Sequence, residues 1–312
     1  MDTIINIIVP VFGIILTGFL AGRFDFLGKD AAAALNSFVF YFALPPALLV
    51  VTARAPIHQV FNWPFAAVFT GAALITLLIA VTLGRGGFRH RFESLTVVGL
   101  TASFGNVFTM GLPLLLTAFG PEGALPAIVA SLVNTFVFIA GGVAALELAR
   151  AARGSKLRIL AQSLGTILRN PLVLSPLLGM AMAALGIPIP KVAGNFLDLM
   201  AAAVAPITLF CLGLSLVGRS IRGNIGEILW LVTLKNVVTP LLALLLVTWT
   251  SALDPLWSKA LVMLSAMPIG TNAYIIAQQY NVQVETASSA IIVSTALSVI
   301  TVSAVMLWLG VG

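Results

Sequence analysis

Charged residues are scarce in this sequence. Asp, Glu, Lys and Arg together occupy 8% of its 312 positions, whereas apolar residues occupy 60%. Because a soluble domain has about a quarter charged residues, this chain lacks the polar surface that would cover a water-soluble globule. The sequence therefore predicts an integral membrane protein whose solvent is lipid.

Cysteine and histidine are almost absent, with one Cys and two His in the whole chain. The lone Cys211 lies in an apolar run, which excludes an intrachain disulfide and a cysteine-based metal site. The two histidines, His58 and His90, fall between apolar runs. No metal-ligand cluster, Ser/His/Asp set or phosphate-binding glycine loop accompanies them. We therefore expect no enzyme, no metal and no cofactor.

Acidic side chains are missing from the middle of every apolar run. All ten Asp and Glu residues sit in loops or near the ends of runs. A proton antiporter built on buried carboxylates would place one at mid-membrane depth, where a charge is costly and marks function. Coupling through Asn, Ser, Thr and backbone carbonyls stays open, so Na⁺ and H⁺ are both candidate coupling ions.

The sequence is rich in long apolar runs. A membrane-crossing helix takes about twenty residues, and many runs reach that length. They fall at 4–21, 32–52, 63–84, 95–118, 124–148, 171–187, 195–217, 227–250, 258–279 and 286–310. The N-terminus lacks a basic stretch and a small-residue cleavage site, so we expect a retained first helix, with a removed signal peptide as the alternative. The expected fold class is an all-α membrane protein of ten transmembrane helices.

Lysine and arginine are concentrated in alternate loops, namely those after the first, third, fifth and seventh runs. Basic loops stay on the cytoplasmic side, so both chain termini are expected to be extracytoplasmic. The formal net charge of +6 is thus spread between apolar runs and forms no basic face. We expect membrane lipid as the surroundings and no nucleic-acid partner.

The longest polar gap divides the runs into two groups of five. We expect 1–150 to be a first five-helix repeat, 151–170 a cytoplasmic amphipathic linker, and 171–312 a second five-helix repeat. Because each group has an odd number of runs, the two groups enter the membrane in opposite directions. Any repeat between them is then inverted, as in many secondary transporters.

Prolines occupy matching places in the two groups. Pro45 and Pro206 fall in the second run of each group, and Pro113 and Pro268 in the fourth. For Pro45 and Pro206 two interpretations stay open: these prolines line a wall of a substrate cavity, or they only bend scaffold helices.

The fourth and ninth runs each combine Asn, Gly, Pro and Ser or Thr at mid-membrane depth. Proline and glycine weaken a helix, and broken helices in a membrane must line a cavity or pack inside protein. Their helix starts would attract an anion and their free carbonyls a cation, and an Asn amide could bind either. A single kink is more often structural, but two in corresponding runs favour a substrate site. The candidate residues are Gly105, Asn106, Thr109, Gly111, Pro113, Pro268, Gly270, Thr271 and Asn272.

Lys235 is the one ionisable residue well inside a run. A membrane-embedded charge suggests function, and this one could balance a carboxylate substrate. The alternative is that its long side chain snorkels to the cytoplasmic interface. The sequence leaves both interpretations open.

Several motifs resemble those of the auxin efflux carrier family, which includes the plant PIN carriers and bacterial malonate- and malate-type carriers. The matching stretches are Gly105–Pro113, Leu168–Pro171, Leu209–Leu214, Met267–Asn272 and Tyr280–Val282, which are spread along nearly the whole chain.

The resemblance implies ten helices in two inverted halves, similar to sodium/proton antiporters and bile-acid transporters. It implies a scaffold from the first two helices of each half and a mobile domain from the other three. In that domain the fourth and ninth helices would cross at Pro113 and Pro268, beside Asn106 and Asn272. The family also implies a homodimer that moves organic anions by an elevator-like motion. The chain lacks the large cytosolic loop of long plant carriers, which fits a bacterial member in the inner membrane.

The sequence as a whole thus predicts a secondary carrier for a small organic anion. A sodium-coupled organic-anion symporter is the alternative within transport, and a channel is a further one.

Overall fold

The computed structural model describes residues 2–28, 30–55, 62–150, 171–218 and 221–311. The linker expected at 151–170 lies outside these residues. Throughout the described part the chain is helical, and no strand occurs in it beyond one isolated bridge between two backbone segments. The expected all-α class is confirmed.

The first half of the chain contains six helices, counted within the described residues. They are α1 (Asp2–Arg23), α2 (Ala31–Arg54), α3 (Trp63–Gly87), α4 (Phe92–Ser103), α5 (107–119) and α6 (124–150). The second half contains α7 (Pro171–Ala184), α8 (Lys191–Leu216), α9 (Ile225–Thr250), α10 (Pro255–Ser265), α11 (Thr271–Tyr280) and α12 (Val284–Trp308).

Six helical stretches of the described residues are long and apolar enough to cross a membrane. Large apolar side chains on their outer sides are exposed, for example Leu245 at 63% and Ile300 at 68%. A soluble protein rarely exposes apolar surface on this scale. The chain is therefore a multi-pass membrane protein.

Three of the prolines bend the chain through a wider turn and do not break it. Residues 39–43, 107–111 and 234–238 form π-helical turns, and Pro45, Pro113 and Pro240 follow them within two residues. A proline ring collides with the carbonyl four residues earlier, and a π turn moves that carbonyl aside. The family resemblance implied a crossing at Pro113, but in the structure the fourth run is interrupted before that proline, because the helix ends at Ser103 and restarts at Val107.

The helices pack in two groups. In the first, α1 lies along the second half of α8, while α7 and the first half of α8 lie on α2. In the second, α3, α4, α6 and α9 to α12 pack around two breaks in the helical backbone, at 104–106 and 266–270. Helix α5 touches members of both groups, and α1 and α2 also contact α12 and α6, respectively. Because α1 belongs to the first half of the chain and α8 to the second, this pairing joins the two halves.

Small residues allow the close approach of α1 and α8. A Cβ on Gly18 would overlap the backbone carbonyl of Phe210, and one on Gly213 would overlap that of Ile15. Contacts of this kind bring helix backbones together in membranes, where packing replaces the hydrophobic effect. By contrast, a Cβ on Gly13, in the same helix, would meet nothing within 4 Å.

We expect the Gly18→Ala variant to unfold at a lower temperature than Gly13→Ala, because only the former forces α1 and α8 apart. Overpacking of this kind costs about 1–3 kcal/mol. Thermal unfolding of the purified protein in detergent measures the difference. Since both variants make the same exchange in one helix, equal melting temperatures would contradict the close contact at Gly18.

Candidate functional site

The two breaks in the helical backbone lie side by side and hydrogen-bond to each other. The backbone amide of Asn106 donates to the Pro268 carbonyl at 2.7 Å, and the backbone amide of Gly270 donates to the Phe104 carbonyl at 2.9 Å. This is the antiparallel bridge seen in the otherwise helical chain. The pairing gives each break hydrogen bonds that its own helix cannot supply, as buried backbone in a membrane requires.

Three of the predicted site glycines make this close approach possible. A Cβ on Gly270 would overlap the Phe104 ring, and one on Gly111 would lie 2.7 Å from a methyl carbon of Leu264. A Cβ on Gly105 would lie 3.1 Å from Cε of Lys235. These glycines therefore act through packing, since they let the breaks and the side chain of Lys235 approach one another.

Two side chains from neighbouring helices hold the paired breaks. Nδ2 of Asn134 in α6 donates to the Gly105 carbonyl at 3.1 Å. The Ile269 amide donates to Oγ of Ser294 in α12 at 2.9 Å. In turn, Ser294 Oγ donates to Oδ1 of Asn236 at 2.6 Å, and Asn236 Nδ2 donates to the Ser294 carbonyl at 2.9 Å. The two paired breaks, called the crossing from here on, are thus supported from α6, α9 and α12.

Lys235 belongs to the crossing and does not reach the membrane interface. Its side chain is 1% exposed, and its Nζ donates to the Ser265 carbonyl at 2.5 Å. Ser265 is the last residue of α10, so the ammonium lies at the negative end of that helix dipole. The snorkelling interpretation of Lys235 is therefore wrong.

Two helices begin at the crossing without side-chain caps. Asn106 precedes α5 and Gly270 precedes α11, and neither position makes a side-chain capping hydrogen bond. The first amides of a helix have no partner inside the helix, and together with the dipole they attract anions. The crossing therefore presents two positive helix ends.

Three buried polar atoms of this region have no hydrogen-bond partner among the described residues. They are Nδ2 of Asn106, Oδ1 of Asn134 and Oγ of Ser265. Each of these residues is 5% exposed or less. Since buried polar atoms are nearly always paired, these three atoms mark the crossing as the candidate functional site.

The remaining predicted site residues differ in burial and in their position relative to the breaks. Thr271 and Asn272 are half-buried at the start of α11, and Thr109 is half-buried in the π turn of α5. Pro268 lies in the break itself, whereas Pro113 is buried in the helix beyond the π turn.

The two other predicted prolines belong to α2 and α8. Pro45 is half-buried after its π turn. Pro206 is exposed, and it lines an apolar groove together with side chains of α1 such as Ile14 and Thr17.

Sequence reasoning missed Asn134, Ser265, Asn236 and Ser294 as residues of the site. Asn134 and Asn236 each lie inside a long apolar run, so a search for polar side chains in apolar runs, wider than the search for ionisable ones that found Lys235, would have found them. The two serines give no such signal, because a serine often bonds to its own helix carbonyl and passes unnoticed in an apolar run.

A family model described as "Membrane transport protein" matches residues 3–306 of the chain. A Rhizobium meliloti (strain 1021) protein named "Putative malonate transporter" is 31% identical over 309 residues, covering 98% of this chain and 96% of that protein. The "Uncharacterized transporter YfdV" of Escherichia coli (strain K12) is 27% identical over 304 residues, covering 94% of each chain. An "Uncharacterized transporter" of Methanothermobacter thermautotrophicus is 26% identical over 302 residues, covering 96% of this chain and 95% of that protein.

We expect Ser294→Ala to lower the thermal unfolding temperature, because it leaves the backbone amide of Ile269 and Oδ1 of Asn236 without their partner, the Ser294 hydroxyl. Orphaning a buried polar group costs about 1–3 kcal/mol. Ser303→Ala is the control in the same helix, since the Ser303 hydroxyl bonds only to the Val299 carbonyl of its own helix. Equal stability of the two variants would show that Ser294 does not support the crossing.

Proposed function

The chain belongs to the auxin efflux carrier family of membrane transport proteins, and from this premise we propose that it is a secondary carrier of small organic anions. The observation that carries the proposal is the crossing of the two breaks. Two uncapped helix starts, the unpartnered side-chain Nδ2 of Asn106 and the ammonium of Lys235 meet there in a buried place. All four are groups that stabilise negative charge.

A small carboxylate suits this set of groups. A carboxylate has two oxygens, each able to accept hydrogen bonds from backbone amides, from an Asn amide and from an ammonium. Asn106 and Asn272 stand next to the two helix starts, and Thr109 and Thr271 add hydroxyls close by. The name of the Rhizobium meliloti relative supports malonate as the first substrate to test.

Alternating access is the proposed mechanism. In it, α4 with α5 and α10 with α11 are two broken spans of a ten-helix fold, and residues 1–150 and 171–312 are its inverted halves. The first packing group of α1, α2, α7 and α8 would be the scaffold, and the second group would carry the site across the membrane as an elevator. The extensive packing of α1 on α8 and of α7 on α2 supports this division.

Polar contacts inside the second group support its motion as one body. The Tyr280 hydroxyl donates to Oε1 of Glu147 at 2.6 Å and so ties α11 to α6. His90 Nε2 and Glu227 Oε1 lie 2.6 Å apart and tie the end of α3 to the start of α9. The first group has its own tie, a bidentate ion pair of Arg54 with Asp198 at 2.9 Å.

The proposed setting is the bacterial inner membrane, with both termini extracytoplasmic and the carrier assembled as a homodimer. The alternation of basic loops supports the orientation. In that orientation the C-terminal ends of α3, α6 and α11 lie on the cytoplasmic side. The contacts of Glu147 and Glu227 lie on that side as well.

We expect Asn106→Ala and Asn272→Ala each to reduce carboxylate transport about tenfold or more, because a hydrogen bond to a charged group contributes about 1.5–3 kcal/mol. Counterflow of radiolabelled malonate and related mono- and dicarboxylates in proteoliposomes measures the effect. Asn195→Ala is the matched control, since Asn195 is exposed on α8.

Wild-type counterflow in both crossing variants, with the control unchanged, would refute the assignment of the substrate site. Flux that neither saturates nor shows counterflow would indicate a channel in place of a carrier.

A further inference from the structure

We propose that the Lys235 ammonium is a built-in cation that fills the cation position at the crossing, so that the protein binds no sodium ion there. The inference rests on the proposed function for its meaning in transport, whereas the occupancy of the position is a property of the fold. It deepens the proposed site, because the positive charge that balances the substrate anion then comes from the protein and not from a coupling metal ion.

The first argument is the position of the ammonium. Broken helices of secondary transporters coordinate Na⁺ with carbonyls at the ends of half-helices. In this chain the end of the half-helix α10 is the Ser265 carbonyl, and Nζ of Lys235 lies 2.5 Å from it. The lysine therefore occupies the point at which a bound cation would find its backbone ligand.

The second argument is the space that the side chain fills. A Cβ placed on Gly105 would lie 3.1 Å from Cε and 3.2 Å from Nζ of Lys235. The ammonium thus touches the break after α4 as well as the end of α10, and it sits between the two broken helices. A metal ion in this place would collide with the lysine and would be repelled by its charge.

The third argument is charge balance. No carboxylate pairs with Lys235 within the described residues, whereas Asp198 pairs with Arg54 and Glu227 contacts His90. A buried charge without a counter-ion is costly. A substrate carboxylate at the crossing would neutralise it, which a sodium ion could not do.

The fourth argument is the unpartnered hydroxyl of Ser265. This residue is 2% exposed, and its Oγ has no partner in the part of the chain that the structure describes. The same residue gives its carbonyl to Lys235. With the lysine shortened, the carbonyl and the hydroxyl would form two oxygen ligands of the kind that a hard cation prefers.

Thermal unfolding of the purified protein in NaCl, KCl and choline chloride of equal ionic strength tests the proposal. The wild-type protein is expected to show no stabilisation specific to Na⁺. Lys235→Ala is expected to unfold at a temperature a few degrees higher in NaCl than in choline chloride, because Na⁺ then binds the native state alone.

Lys259→Ala is the matched control and is expected to show no Na⁺-specific shift. Its ammonium also approaches a backbone carbonyl, that of Gly310 at 3.5 Å, but away from the crossing. Should Lys235→Ala fail to fold, Lys235→Ser in the same salts is the second variant, since serine also leaves the space free and its hydroxyl can bond to a carbonyl of its own helix. Failure of both to fold leaves the wild type in NaCl and in choline chloride as the deciding measurement.

A Na⁺-specific stabilisation of the wild-type protein would overturn the proposal, and so would the absence of one in the folded Lys235 variants. These results do not depend on transport. A wild-type protein that moves no carboxylate in proteoliposomes would count against the proposed function and would leave the outcome of the salt experiment unchanged.

Discussion

The pairing of two interrupted helices is the interaction on which the rest of the structure depends. Inside a membrane, each backbone group without a hydrogen bond costs several kcal/mol, so a single break there is unstable. Here Phe104 and Asn106 exchange hydrogen bonds with Gly270 and Pro268. Each break is therefore possible because the other exists, and the neighbouring helices are arranged to hold the pair.

The two kinds of helix end at the crossing differ in whether side chains bond to them. Its carbonyl side is occupied, because Asn134 donates to Gly105 and Lys235 donates to Ser265. Its amide side is free of side-chain caps at Asn106 and at Gly270. With the negative ends satisfied and the positive ends open, the arrangement favours an anion over a cation as the bound species.

Proline and glycine divide the work of shaping these helices in a way that the sequence suggested only in part. Pro268 marks its break, because it lies between the end of α10 and the start of α11. Pro113 does not, since a π turn absorbs its ring and the break falls earlier, at Gly105. Whether a proline interrupts a helix thus depends on what the neighbouring chain offers to the exposed backbone groups.

Composition and apolar runs by themselves determined the lipid solvent, the all-α class and most helix ends. The run at 63–84 became Trp63–Gly87, and that at 227–250 became Ile225–Thr250. These features follow from local hydrophobicity, which needs no partner. Only the tertiary structure decided that Gly105 pairs with Ile269, that Asn134 supports the pair, and that Lys235 turns inward to Ser265. Those contacts join segments far apart in the chain, and their energies depend on which backbone groups packing leaves exposed, so no local pattern encodes them.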